Sequence, residues 1–398
     1  MKKGDTAVVR LEKVVPGGQS LGVLPDGRKV FVWGGLPGET VEVEIFKSKK
    51  SYAEAVVVNV LEPSPHRIEP RDACYLSTSP WQIFDYDYEL AQKAELVAEA
   101  FRQQGIVFGR ARMINGLVAS DKNDFFYRNK MEYALWWDNE TDRISLAFHK
   151  RGTHTKIPID QSSIERPEIF TEAQRVVADL NARGEQARKY QSLLVRCNQN
   201  GEARSALLEN GRPHPHLEPL TDTILGREYS YSPNGFFQIN LPVYEMALRE
   251  IAKHLGNAEK VVDMYAGVGT IGLSVAAGRE LTLVETDKSA YKEMGKNITH
   301  DIKSRTRVVL EKSENALEYI TGDITLIVDP PRAGLDEKVV ARILETWPPH
   351  VIYLSCDPTT QARDIMKLLS KYQISHQQAF NFFPRTPHIE NLIVLEKA

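Results

Sequence analysis

A chain of 398 residues exceeds one ordinary domain, so two or three are expected. Its 42% apolar and 26% charged residues are those of a soluble globular protein, and no run of 18 apolar residues is present to span a membrane. The net charge of −3 leaves any nucleic-acid contact to local basic surface, and the three widely spaced cysteines, Cys74, Cys197 and Cys356, argue against both a disulfide framework and a CxxC zinc pair.

The opening residues, Met1-Lys2-Lys3-Gly4-Asp5, lack the apolar stretch of a signal peptide, so a cytoplasmic, reducing setting is expected. Short β-segments follow at 6–14, 21–24, 29–33, 39–46 and 53–61. Pro16-Gly17-Gly18, Asp26-Gly27, Gly34-Gly35 and Pro37-Gly38 supply turns between them. Five short strands with glycine-rich turns predict a small closed barrel of the OB type over residues 1–62, a common nucleic-acid platform. Pro63-Ser64-Pro65 ends it as a stiff linker. Basic clusters that could meet phosphates are Lys47 with Lys49 and Lys50, Arg110 with Arg112, and Lys150 with Arg151; each could equally be solvated surface charge.

Leu90, Ala94, Val97 and Phe101 recur at helical spacing and predict a helix over 86–104, stopped by Gly105. Residues 72–225 read as a central α+β domain, with a helix at 168–183. His214 and His216 sit among prolines without a nearby carboxylate partner, so a solvated turn is expected and no metal site.

From residue 226 strands alternate with helices. Strands are expected at 260–263, 281–285, 308–310, 324–328, 351–354 and 392–395, with helices at 271–277 and 359–369. This is the pattern of a doubly wound α/β sheet, whose ligands sit beyond the carboxyl ends of the strands. Asp263, Glu285, Asp329 and Cys356 all fall at such ends and are expected on one rim.

Asp263-Met264-Tyr265-Ala266-Gly267-Val268-Gly269, completed by Gly272, is a glycine-rich strand–turn–helix of the nucleotide-binding kind. Glu285 ends the next strand, where a carboxylate can hold ribose hydroxyls. A dinucleotide and S-adenosylmethionine both fit, and the acid at Asp263 favours the latter. Cys356 lies in Ser355-Cys356-Asp357-Pro358, in a turn beyond an apolar strand. Core packing is the ordinary fate of such a thiol, but amides at the start of the following helix are expected to lower its pKa. Glu390, in an apolar setting, is expected to have a raised pKa suited to a general base.

Five motifs taken together, Phe236-Phe237-Gln238-Ile239-Asn240, Asp263 to Gly269, Asp329-Pro330-Pro331-Arg332, Ser355-Cys356-Asp357-Pro358 and Thr386-Pro387-His388-Ile389-Glu390, resemble those of RNA uracil-5-methyltransferases, which form 5-methyluridine in tRNA and 23S rRNA. The resemblance extends to Tyr127-Arg128-Asn129-Lys130 and Arg151-Gly152, and the amino-terminal barrel looks like the family's TRAM domain. It implies Cys356 as a nucleophile that adds to uracil C6, Glu390 as the base, and Gln238, Tyr265, Gly267, Glu285 and Asp329 around S-adenosylmethionine, in a catalytic domain over 226–398. The implied substrate is RNA, 23S rRNA ahead of tRNA, handled by a monomer. Two departures stand out. Many rRNA-directed members hold an iron–sulfur cluster on four cysteines, whereas Tyr75 to Pro80 and Gln161-Ser162-Ser163 contain none beside Cys74, so no cluster is expected. Asp357 replaces a more usual asparagine. The competing readings are a methyltransferase acting on an amine, which would carry an aromatic residue after Pro-Pro and need no thiol, and a non-catalytic RNA-binding protein.

Overall fold

A computed structural model describes residues 1–108 and 124–398; the cluster Arg110 and Arg112 lies outside the described residues. Strands β1 (Thr6–Val14), β2 (Ser20–Val23), β3 (Lys29–Trp33), β4 (Thr40–Ser48) and β5 (Tyr52–Glu62) close into a barrel in the order β1-β2-β3-β5-β4. Alternate side chains, among them Val9, Leu11, Val30, Val32, Val41, Val43 and Ile45, fill its interior. Glu39 is fully buried where barrel meets linker. It accepts from Arg67 Nε at 2.6 Å, Ser64 N–H at 3.1 Å and Leu36 N–H at 2.8 Å, so the buried charge is both paired and hydrogen-bonded.

After a single turn, α1 (Tyr75–Thr78), the predicted long helix forms as α2 (Tyr86–Gln103), capped by Asp85 accepting from Tyr88 N–H. The central sheet comprises β6 (Lys130–Asp138), β7 (Arg143–His149), β8 (Lys156–Pro158), β9 (Ser192–Cys197), β10 (Ala203–Glu209) and β11 (Arg212–His214), in the order β11-β10-β9-β6-β7-β8. One helix, α3 (Pro167–Ala182), buries Ile169, Ala173, Val176 and Leu180 in the core of this sheet. A hairpin follows, β12 (Leu220–Ile224) with β13 (Arg227–Tyr231), and its Leu220, Ile224, Tyr229 and Tyr231 join the core of the next layer.

The last sheet is built from β14 (Lys260–Met264), β15 (Glu280–Glu285), β16 (Thr306–Leu310), β17 (Ile324–Val328), β18 (His350–Ser355), β19 (Tyr372–Phe380) and β20 (Glu390–Lys397). Their order is β16-β15-β14-β17-β18-β20-β19, parallel throughout except for β20, which runs against both neighbours. Helices α4 (Leu241–Lys253), α5 (Thr270–Val275), α6 (Lys288–Asn297), α7 (Glu337–Thr346) and α8 (Pro358–Leu368) complete the doubly wound fold. Because both faces are covered, β17 is buried at every position. On one face Leu326, Val328 and Tyr353 pack with Val339 of α7, Ile365 of α8 and Val97 and Phe101 of α2. On the other, Leu283, Ile327 and Ile352 pack with Ala247, Leu248 and Ile251 of α4.

The sequence reading misses β19 and the helices α4, α6 and α7. The segment of β19 is rich in glutamine, yet Gln377 and Gln378 are buried in the sheet, so polarity concealed a strand. Asp287 and Asp336, the side-chain caps of α6 and α7, are the start signals of these helices in the sequence. Among the described residues no helix is long and apolar enough to cross a membrane.

Candidate active site

The turn after β14 holds Tyr265 at φ +68°, Gly267 at φ +59° and Gly269 at φ +87°. A Cβ on Gly267 would meet nothing within 4 Å, so the turn opens directly onto the cavity beside it. Gly272 acts differently: a Cβ there would fall 2.6 Å from Leu283 Cδ2, so only glycine lets α5 sit this close to the sheet.

Asp263 is not on the rim. It precedes the last residue of β14, is fully buried, and its Oδ2 accepts from Gly272 N–H at 2.8 Å while Oδ1 has no partner. Burial lifts its pKa to about 8, so it stays largely protonated and secures the turn from beneath. Glu285, the last residue of β15, accepts from Gly267 N–H at 2.8 Å through Oε2. Its Oε1 accepts from Thr286 and Asp287 N–H at 2.7 and 2.6 Å, so main-chain amides fix the carboxylate at the cavity wall.

Gln238, Tyr265, Gly267, Glu285, Asp329, Cys356 and Glu390 all line one cavity of about 1080 Å³, with the exposed ring of Phe236 at its edge. The central sheet braces the segment that carries Gln238. Asn129 Nδ2 donates to Gln238 O at 3.1 Å, Lys130 Nζ donates to Asn234 and Gly235 O, both at 3.1 Å, and Arg196 Nη2 donates to Phe237 O at 2.8 Å.

Cys356 follows the last residue of β18 and Glu390 is the first of β20, so the antiparallel pairing of those strands brings them together. The thiol does not behave as the sequence suggested. Burial, and the nearby carboxylates of Glu390 and Asp329, push it up to about 11. The amides expected to stabilise a thiolate are engaged by Asp357, the cap of α8, whose Oδ1 accepts from Thr359 N–H at 2.9 Å and Thr360 N–H at 3.3 Å. The side-chain oxygen of an asparagine would accept from the same amides. Glu390 is buried and raised well above an ordinary glutamate, by burial and by Asp329, itself pushed up to about 7 by burial. Gln361 of α8 locks the two strands by donating to Tyr353 O at 2.9 Å and Asn391 O at 3.0 Å.

A smaller cavity of about 140 Å³ opens beside the thiol between Arg332, His388, Leu96 of α2 and the barrel turn Pro16-Gly17. Arg332 Nη2 lies 3.2 Å from His388 Nδ1. Since a guanidinium only donates, Nδ1 accepts and the neutral ring carries its proton on Nε2. Lack of solvation and the Arg332 charge hold His388 at about 4, so the ring is neutral at ordinary pH.

The sequence reading missed two supports of this site. The barrel reaches the cavity: Gly18 packs on Pro387 and its carbonyl accepts from Trp81 Nε1 at 3.0 Å. A buried ion pair, Glu89 with Lys93, holds the loop leading to Glu390. Lys93 Nζ donates to Asn381 Oδ1 at 2.6 Å and Phe383 O at 3.1 Å, and Glu89 accepts from Arg385 N–H at 3.0 Å. The signal was two opposite charges four residues apart within the apolar stripe of α2. Away from the residues that line either cavity, Cys74 sits beside Gln161, with Sγ 3.8 Å from its carbonyl oxygen. Asp72 there accepts from Ser163 Oγ at 2.6 Å and from Gln82 Nε2 at 2.8 Å.

The family model for tRNA (uracil-5-)-methyltransferases matches residues 221–398, and that for the TRAM domain matches residues 2–58. An uncharacterized RNA methyltransferase of Bacillus cereus is 27% identical over 99% of this chain and 97% of its own, and one of Gloeobacter violaceus is 26% identical over 100% and 97%. The crystal structure of the Pyrococcus abyssi tRNA (uracil-54, C5)-methyltransferase, in complex with S-adenosyl-L-homocysteine, superposes with a TM-score of 0.75 at 22% identity, covering 97% of this chain and 100% of that one; it shares the fold.

Proposed function

Since the chain belongs to the tRNA (uracil-5-)-methyltransferase family, with an amino-terminal TRAM domain, and is an RNA uracil methyltransferase, we propose that it methylates C5 of a uridine through a covalent adduct on Cys356, with Glu390 as the base. The observation that carries this reading is the pairing of the two residues across adjacent strand ends, where one wall of the large cavity meets the smaller one.

The cavity suits S-adenosylmethionine: Glu285 is positioned for ribose hydroxyls, the open turn at Gly267 admits a close ligand, and Gln238, Tyr265 and Asp329 complete the wall. When bound there, S-adenosylmethionine supplies an electrophilic methyl group. Uracil C5 is a poor carbon nucleophile. Addition of the Cys356 thiolate to C6 converts the ring to an enolate whose C5 is nucleophilic. Once C5 carries the methyl group, Glu390 removes the C5 proton, the double bond re-forms, and the C6–S bond breaks to release the thiolate. Arg332 and the Nε2–H of His388, which line the smaller cavity together with Cys356, are the donors assigned to the enolate oxygen.

RNA enters across the barrel and the central sheet in this proposal, which divides the chain into units of 1–62, 72–225 and 226–398. A uridine of 23S rRNA is the first candidate target. A tRNA uridine is the second, because the Pyrococcus abyssi enzyme of the same fold is named for tRNA uracil-54. Mass-spectrometric mapping of 5-methyluridine in rRNA and tRNA from cells with and without the gene tests both. Loss of the base from one RNA alone names the target, and unchanged 5-methyluridine in both overturns the proposal.

A further inference from the structure

Far from the large cavity, the carboxyl-terminal end of α4 meets the edge strand β19. Glu250 and His254 are one helical turn apart on α4 and its cap, and a bulge between Ile374 and His376 in β19 lies opposite. His254 Nε2 and His376 Nε2 each lie 3.3 Å from the same oxygen, Glu250 Oε1. The two rings stack with centroids 4.3 Å apart, and the three polar atoms all lie within 4.8 Å of one another.

We propose that Glu250, His254 and His376 form a binding site for a divalent cation of the zinc type. Zinc–nitrogen and zinc–oxygen bonds of about 2.0–2.1 Å at tetrahedral angles separate ligand atoms by about 3.3–3.4 Å, the spacing both histidines keep from Oε1. Hydrogen bonding alone accounts for the cluster less well: two ring nitrogens converge on one oxygen, and His376 Nε2 is buried without a hydrogen-bond partner. Glu250 Oε2 is taken by Lys253 Nζ at 2.6 Å, leaving Oε1 as a single ligand atom. The Lys253 side chain is 66% exposed, so it can turn to water when a cation binds. The three ligand side chains are 20–26% exposed, which leaves a fourth position open to water.

None of the three lines the large cavity. His376 pairs with Val394, four residues along β20 from Glu390, or roughly 13 Å at the rise of a strand. The ion would therefore act as a staple. It would tie α4, which follows the Gln238 segment, to β19, which leads into the loop before Glu390.

The test is titration of untagged, chelator-treated protein with zinc chloride alone, followed by calorimetry and by unfolding temperature. One saturable equivalent and a raised unfolding temperature are expected. Glu250→Gln and His376→Ala should each weaken binding at least about 10-fold, while Cys356→Ala should leave it unchanged. His254→Gln, at the helix end, serves where His376→Ala fails to fold. Absence of saturable binding, binding that survives the histidine substitutions, or binding lost in Cys356→Ala would overturn the site.

Discussion

Cys356 lies across from Glu390, one step beyond the last pair of an antiparallel ladder in which Ser355 faces Asn391. Had β20 run parallel like the strands on the other side of β18, its first residue would lie at the opposite end of the sheet from the thiol. The reversed strand thus turns a separation of 34 residues in sequence into a facing pair. It also places a carboxylate where it opposes thiolate formation, so thiol and carboxylate are electrostatically coupled.

That coupling has a measurable consequence. With its pKa at about 11, the Cys356 thiol should react slowly with iodoacetamide near pH 7, and its rate should rise with pH until about 11. Glu390→Gln removes the carboxylate that, once ionised, most opposes the thiolate, so alkylation on the alkaline side of the profile should be faster in that variant. Peptide mass spectrometry of the alkylated protein measures both; equal rates in the two proteins would separate thiol from carboxylate.

The division of labour predicts distinct failures for the two residues. Cys356→Ala should form no adduct with 5-fluorouridine RNA and should lose turnover altogether, since fluorine at C5 traps only an enzyme that adds to C6. Glu390→Gln should add to C6 and transfer the methyl group, then stall. A methylated covalent protein–RNA species, visible as a shifted band in denaturing gels, is the expected result; normal turnover without it removes Glu390 from the base role.

The sequence disclosed the residues that line the cavity better than the layers that hold them there. Glu285, Asp329, Cys356 and Glu390 were legible as cavity residues because ligand sites lie beyond strand ends, and strands such as 324–328 announce themselves by unbroken apolar runs. Asp263 was misplaced by one position along β14, and in a strand one residue decides whether a side chain reaches the rim or the core. Long-range supports left weaker traces. Nothing local in Lys93 reveals that its ammonium meets Asn381, nor in Gly18 that it packs on Pro387, because both contacts exist only after the layers assemble.

Gly18 offers a direct test of the barrel's part in the site. It holds φ +92°, and a Cβ would fall 2.2 Å from Pro387 Cβ, three residues before Glu390. Gly18→Ala must shift either the barrel turn or the loop that leads to Glu390. Overpacking of this kind costs about 1–3 kcal/mol. Methylation of RNA should fall by roughly ten-fold or more, since about 1.4 kcal/mol is a factor of ten, while S-adenosylmethionine binding measured by calorimetry stays near normal. Unchanged methylation would show that the contact is dispensable.

Asp263 makes stability depend on pH in a direction opposite to that of an ion-paired carboxylate. Its pKa is raised from 3.8 to about 8 on folding, so the native state binds more protons than the unfolded chain between those values. The contribution is fully present below about pH 4 and is lost as pH rises through about 8. Asp329, raised to about 7, adds to the same slope. The unfolding temperature of the ligand-free protein should therefore decline from pH 6 to pH 8.5. Asp263→Asn keeps an acceptor for Gly272 N–H without an ionisable group and should flatten the decline; an unaltered slope would exclude Asp263 as its source.

The region around Cys74 is where the family resemblance raises the question of an iron–sulfur cluster. Four thiolates hold such a cluster, and the chain has three cysteines, one of them the proposed nucleophile. Cys74 is buried, and burial pushes its thiol up to about 12, the opposite of what a thiolate ligand requires. Its neighbours are already engaged: Asp72 accepts from Ser163 and Gln82, while Trp81 stacks on Phe84 with centroids 4.7 Å apart. The purified protein should be colourless, without stoichiometric iron or sulfide, and active after chelation. Cys74→Ser places a hydroxyl where Gln161 O can accept from it, so the cost should be no more than about 1 kcal/mol, with methylation near normal. Bound iron with visible absorbance that disappears in Cys74→Ser would overturn this and would require ligands other than cysteine around the same turn.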